Sequence, residues 1–92
     1  MRALLLTVLL AVAAPSFGQV VSCFSSERFD QELVNVGDSE RKVLELEPDR
    51  EVRLENHYGA AAGYRYDFYK RGRTIQIYVR SGVIYRICRV PD

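Results

Sequence analysis

The sequence predicts an α+β domain in two layers, with one short helix packed on a four-stranded antiparallel meander sheet. Three observations predict it. An apolar leader stands apart from a mixed, charged body. Between Asp38 and Pro48 apolar residues recur at helical spacing. After Pro48 they recur at every second position, in four runs separated by turn residues.

The leader begins with Met1-Arg2, a short positive start. Ala3 to Ala14 is then apolar except for Thr7. A membrane span needs about 20 such residues, so this run suits a signal-peptide core better. Pro15 ends it, and Ser16-Phe17-Gly18 sets small residues at the −3 and −1 positions of a cut before Gln19. Residues 1–18 are therefore expected to be a signal peptide, and the product to reach the periplasm. Residues 19–37 read as an extended lead-in, within which Glu32 to Gly37 is either a short strand or part of that lead-in, and 38–92 as the helix-plus-sheet domain. The leader holds 13 apolar residues, so the overall apolar fraction of 48% overstates what the body can bury.

An exported chain with two cysteines, Cys23 and Cys88, invites a disulfide between them. Closing so long a loop is worth about 4 kcal/mol on the chain-entropy account, which a small domain needs. Val20-Val21-Ser22-Cys23 also loosely fits a lipobox. That leaves a second outcome open: an outer-membrane lipoprotein acylated at Cys23, with Cys88 free.

In the body, Asp38 or Ser39 reads as a helix N-cap, with Glu40 favouring the positive helix end. Val43 and Leu46 share one face, and Pro48 stops a helix of about 8 residues. Val52 and Leu54 alternate with Glu51, Arg53 and Glu55 in the first run. Tyr64, Tyr66 and Phe68 alternate with charge in the second, Ile75, Ile77 and Val79 share a face in the third, and Val83 to Val90 forms the fourth. Gly59 to Gly63 reads as a flexible loop between the first two.

A two-residue turn at Arg71-Gly72 pairs Phe68 with Ile75, Tyr66 with Ile77 and Tyr64 with Val79. A three-residue turn at Arg80-Ser81-Gly82 pairs Val79 with Val83, Ile77 with Tyr85 and Ile75 with Ile87. The inner face is then expected to hold Val52, Leu54, Tyr64, Tyr66, Phe68, Ile75, Ile77, Val79, Val83, Tyr85 and Ile87. Glu51, Arg53, Glu55, Arg65, Asp67, Tyr69, Thr74, Gln76, Tyr78, Ile84, Arg86 and Cys88 fall on the outer one. With Cys88 outside, a Cys23 partner must reach the outer side or the sheet edge.

Leu33-Val34-Asn35-Val36-Gly37-Asp38-Ser39, followed by Val43-Leu44 and Pro48, resembles a pattern found in a family of short exported bacterial proteins classed as a domain of unknown function. The likeness covers about residues 23–90. The layout is also similar to the envelope lipoproteins of the SmpA/OmlA/BamE type, which assist outer-membrane protein assembly. Here Phe24 follows Cys23, and Leu46-Glu47-Pro48 stands where that pattern has Cys-Gly-x-Pro. The resemblance implies a small envelope protein and supplies no catalytic residue.

Charge divides the body. Residues 24–56 carry 10 acidic and 5 basic side chains, and residues 57–92 carry 2 and 7. The two segments either lie against each other in the fold or leave a basic surface for an anionic partner. The formal net charge of +1 makes no case for nucleic acid. His57 is the one histidine, so metal sites and Ser-His or Cys-His dyads would depend on it alone. No cofactor or metal is expected.

Glu51, Glu55 and Asp67 are the carboxylates a small hydrolase would use, although neighbouring Arg53 and Arg65 favour their ionised, solvated state. Tyr69 and Tyr78 beside Arg65, Arg73 and Arg86 combine the residue types enriched in protein-interface hot spots. The expectation is a small exported, non-enzymatic envelope protein, a binding or structural module. Arg65, Tyr69, Tyr78 and Arg86 are its contact candidates and an envelope protein its partner. Membrane attachment is expected only if Cys23 is lipidated. The hydrolase and the assembly-assisting lipoprotein are the alternatives.

Overall fold

In the computed structural model, residues 20–92 are described; the expected signal peptide lies outside them. Seven strands and one helix follow in order: β1 (Ser22–Phe24), β2 (Ser26–Phe29), β3 (Glu32–Asn35), α1 (Glu40–Glu45), β4 (Arg50–Glu55), β5 (Ala61–Lys70), β6 (Arg73–Arg80) and β7 (Val83–Pro91). Five strands form one antiparallel sheet in the order β1-β7-β6-β5-β4, and β2 and β3 form a separate hairpin. No helix among the described residues is long and apolar enough to cross a membrane.

This corrects the expected α+β fold of a helix on a four-stranded meander. The protein is mostly sheet, its main sheet has a fifth strand, and its second layer is a hairpin with a six-residue helix. The cause lies in residues 22–35, read as extended lead-in. The inward positions of the hairpin are Glu27, Phe29 and Val34, so a carboxylate interrupts the apolar alternation that marks a strand. Glu27 is only 5% exposed and accepts a 2.9 Å bond from Arg89 Nε of the sheet. Leu33, the larger apolar residue, faces outward. Asp30 makes the tight turn in the left-handed region, at φ 54°.

The β5–β6 pairing is the one its turn dictates: Phe68 opposes Ile75, Tyr66 opposes Ile77, and Tyr64 opposes Val79. Their partners build the core, with Ile75, Ile77, Val79, Tyr66 and Phe68 all buried. Phe29 of the hairpin meets Phe68 edge to face at 4.8 Å between ring centroids. Val34 and Val43 complete the cluster, and Leu46 packs against it.

The β6–β7 pairing departs from expectation. The turn has two residues, Ser81 and Gly82, both at positive φ (55° and 78°), so Arg80 opposes Val83 and Val79 opposes Ile84. Positive φ at both central positions matches the twist of the flanking strands. A bulge follows, leaving Tyr85 without an opposite residue before Arg86 meets Tyr78 and Ile87 meets Ile77. Ile84 and Ile87, three apart, thereby both point into the core. Val83 and Tyr85, expected inside, are exposed, and Ile84, expected outside, is buried.

The faces of β4 are also exchanged relative to expectation. Glu51 opposes Tyr66 and Arg53 opposes Tyr64, so these charged residues share the inner face, beyond the edge of the covering layer. Val52 opposes Arg65 on the outer face and is half-buried there. The segment Gly59 to Gly63 is not a flexible loop. Ala61 to Gly63 belong to β5, and Asn56 organises the turn before them. Its Oδ1 accepts bonds from the N–H groups of Tyr58 and Ala60.

The helix is short, so packing must hold it. Its first N–H, of Glu40, donates to Gly82 O in the β6–β7 turn. Ser39 stands at the N-cap without a side-chain bond. Asp38 turns back instead: its Oδ2 accepts from Asn35 N at 2.8 Å and from Lys42 Nζ at 3.0 Å. These bonds, the Asn35 N–H first, hold the Asp38 carboxyl below its ordinary range. The Asp38 bond holds the Lys42 ammonium above its own. Glu47 closes the helix at φ 60°, just before Pro48.

β1 lies along the outer edge of β7. Ser22 opposes Arg89, Cys23 opposes Cys88, and Phe24 opposes Ile87. Cys23 and Cys88 are disulfide-bonded, with Cα atoms 3.9 Å apart. The requirement that Cys23 reach the sheet edge is met because β1 is itself an edge strand.

Candidate functional site

The covering layer buries one face of the sheet. The other face carries Tyr78 and the residues around it. Strand alternation puts Arg65, Tyr78 and Arg86 side by side across β5, β6 and β7. The bulge at Tyr85 adds a second aromatic ring, 6.0 Å from that of Tyr78 between centroids and tilted by 57°. Two guanidiniums stack on these rings. Arg80 Cζ is 4.3 Å from the Tyr85 centroid, and Arg86 Cζ is 5.5 Å from that of Tyr78. Such stacking fixes the planar head group and leaves its N–H edges free to donate. The Tyr78 hydroxyl donates to Gln76 Oε1 at 3.2 Å, which orients the ring further.

Among the described residues, neither Arg80 nor Arg86 forms an ion pair. Arg65 is different. Its Nε and a terminal nitrogen donate to both carboxylate oxygens of Asp67, at 2.8 and 2.9 Å. The Asp67 hydrogen bonds hold Arg65 still more firmly in its charged form, against the opposing effect of burial. Asp67 is 3% exposed, so this fork satisfies a buried charge. Arg65→Ala is expected to cost about 3 kcal/mol, because it strands that carboxylate. Removing both partners in Arg65→Ala/Asp67→Leu is expected to cost less. Urea unfolding of the two variants checks it, and equal losses would contradict the assignment.

The sequence candidates thus separate. Tyr78 and Arg86 are brought together. Arg65 borders them but is held by Asp67. Tyr69 shares the outer face opposite Thr74, four residues along the strand from Arg65, and is exposed there. Its backbone N–H donates to Asp49 Oδ2, and its ring joins no aromatic pair. Sequence reasoning missed Tyr85, placed in the core, and Arg80, placed in a turn. The signal was present in the Ile84–Ile87 spacing of three. A regular strand cannot bury both, so a bulge between them is required.

The carboxylates expected together on the outer face are not together. Glu51 opposes Tyr66 on the inner face, while Asp67 is on the outer one and bound by Arg65. The His57 ring stacks on that of Tyr58, 3.9 Å between centroids. No group of three or more His, Cys, Asp or Glu side chains among the described residues converges to hold a metal ion. Of the five ion pairs among the described residues, one joins the acidic segment to the basic one, Arg89 with Glu27. The basic segment therefore keeps most of its charge unpaired.

The fold and this face define a small, disulfide-stapled antiparallel sheet protein displaying an aromatic and arginine surface. No family model, curated protein or solved structure matches the chain.

Proposed function

We propose that the protein is a small exported, non-enzymatic binding module of the bacterial envelope that works through its outer sheet face. One observation carries the reading. Arg80 and Arg86 are stacked on Tyr85 and Tyr78 on an exposed face, with no carboxylate partner in the described chain. Tyrosine and arginine supply large contact area and directional donors, and they dominate protein-interface hot spots. Prior stacking lowers the ordering cost of binding.

The disulfide supports the export half of the reading, since such bonds persist in oxidising compartments. It also favours a soluble product over the acylated alternative, because the Cys23 sulfur is bonded to Cys88. The resemblance of Leu33 to Ser39 to the pattern of short exported proteins is consistent with an envelope protein as partner. The Tyr78→Ala/Arg86→Ala variant is expected to lose capture of its partner from an envelope extract while melting within about 4 °C of the wild type. Undiminished capture would sink the proposal. Intact mass of the protein isolated from cells is expected to show cleavage after Gly18 and a mass two hydrogens below the dithiol form.

A further inference from the structure

The outer face also carries information about the chemistry of its partner. Arg80 and Tyr78 lie two residues apart on β6, and Arg86 stands opposite Tyr78 on β7. The rings of Tyr78 and Tyr85, which carry the two guanidiniums, lie 6.0 Å apart between centroids. Alternate residues of an extended chain repeat at nearly the same distance, about 6.6 Å. Each guanidinium lies over its own tyrosine, so two oriented donor forks sit on neighbouring rings. Side chains displayed across three neighbouring strands suit an extended chain laid over them better than an enclosed small molecule.

The charge is complementary to one sign only. The segment 57–92 carries 7 basic residues against 2 acidic ones. Of those two, Asp67 is already bound by Arg65, and Asp92 is near the opposite end of β6, where its N–H donates to Gly72 O. Among the described residues no carboxylate forms an ion pair with Arg80 or Arg86.

We infer that the face binds an extended acidic segment of a partner protein, with carboxylates at alternate positions seated on Arg80 and Arg86. The inference rests on the outer face being the binding surface, and it adds the chemical class and spacing of the ligand. Bidentate pairing of guanidinium with carboxylate gives it direction as well as charge.

The probe is a short synthetic peptide of alternating glutamate and threonine, titrated into the full oxidised protein by NMR. Saturable binding is expected, with shifts centred on Tyr78 and Tyr85. Arg80→Gln/Arg86→Gln is expected to weaken it about tenfold or more. Arg71→Gln/Arg73→Gln removes the same charge at the other end of β6 and is expected to leave Kd within about twofold. Equal weakening by both variants overturns the inference, since only net charge would then matter. Equal affinity for a peptide with its glutamates in adjacent pairs overturns the spacing. Absence of peptide binding with retention on phosphatidylglycerol vesicles replaces the acidic segment with a lipid surface.

Should the glutamine pair fail to fold, Arg80→Lys/Arg86→Lys carries the test. It keeps charge and loses the fork, so an unchanged Kd overturns the inference. Loss of partner capture by Tyr78→Ala/Arg86→Ala without any peptide binding leaves the binding face standing and removes only the acidic class.

Discussion

Replacing both cysteines, in Cys23→Ala/Cys88→Ala, is expected to lower folding stability by about 4 kcal/mol. The bond joins residues 65 apart in sequence, so it removes a large loop-closure entropy from the unfolded chain. A domain of this size has only about 4–11 kcal/mol in total. The melting temperature should fall by about 15–30 °C. The effect on β1 should be more complete still. This strand is three residues long, and all three are exposed. Apart from its backbone pairing to β7 and the Arg89 guanidinium over Phe24, the disulfide is its main tie. Hydrogen exchange at the β1–β7 amides should therefore become fast in the variant while the β5–β6 amides stay protected. A melting shift under about 5 °C would contradict this account.

Gly63→Ala is expected to cost at least about 3 kcal/mol. Gly63 has φ 107°, a conformation side chains rarely adopt, and a Cβ there would lie 2.2 Å from the carbonyl oxygen of Val79. That neighbour is backbone within the central β6, so it cannot swing aside. Gly59 is the control. It also has positive φ, 84°, but a Cβ there meets nothing within 4 Å. Gly59→Ala should cost only about 1 kcal/mol through the backbone alone. Urea midpoints compare the two directly, and similar values would show that the close approach to Val79 is unimportant.

Gly63 also marks an irregularity at the edge of the sheet that the sequence pattern does not show. It occurs where the β4–β5 register shifts, between Arg53 and Glu55. A one-residue shift exchanges the faces of a strand. Val52 and Leu54 looked inward because they are apolar. The regular pairing of Val52 with Arg65, set before the bulge is reached, puts them outward, and the edge position of β4 tolerates charged Glu51 and Arg53 on the inner side. The same logic applies to β7. A three-residue turn at Arg80-Ser81-Gly82 keeps Arg86 away from Ile77 without any irregularity. The structure instead combines a two-residue turn with a bulge at Tyr85, which also separates them and buries both Ile84 and Ile87.

The candidate site was half legible for the same reason. Tyr78 and Arg65 follow from simple alternation and from the Arg71-Gly72 turn, and alternation also puts Arg86 on the outer face, but its place opposite Tyr78 depends on the β6–β7 turn and bulge. Tyr85 and Arg80 depend on the bulge, whose cost and benefit are set by packing on the far side of the sheet. Arg65 was recognisable as an outer-face residue. Its engagement depends on Asp67, two positions along the same strand, choosing the guanidinium over water.

By itself the sequence determined the β5–β6 hairpin and its aromatic and aliphatic partners, because alternation and a two-residue turn leave one register that puts them all on one face, although Tyr64 is exposed there. It also determined that two cysteines were available to staple a small core. The tertiary structure alone decided that β1 closes the β7 edge, that a hairpin with an inward Glu27 shares the cover with the helix, and that Tyr85 joins Tyr78 outside. Each of these depends on contacts between residues far apart in the chain. A local pattern cannot show that Arg89 will satisfy Glu27, or that Cys23 will lie opposite Cys88.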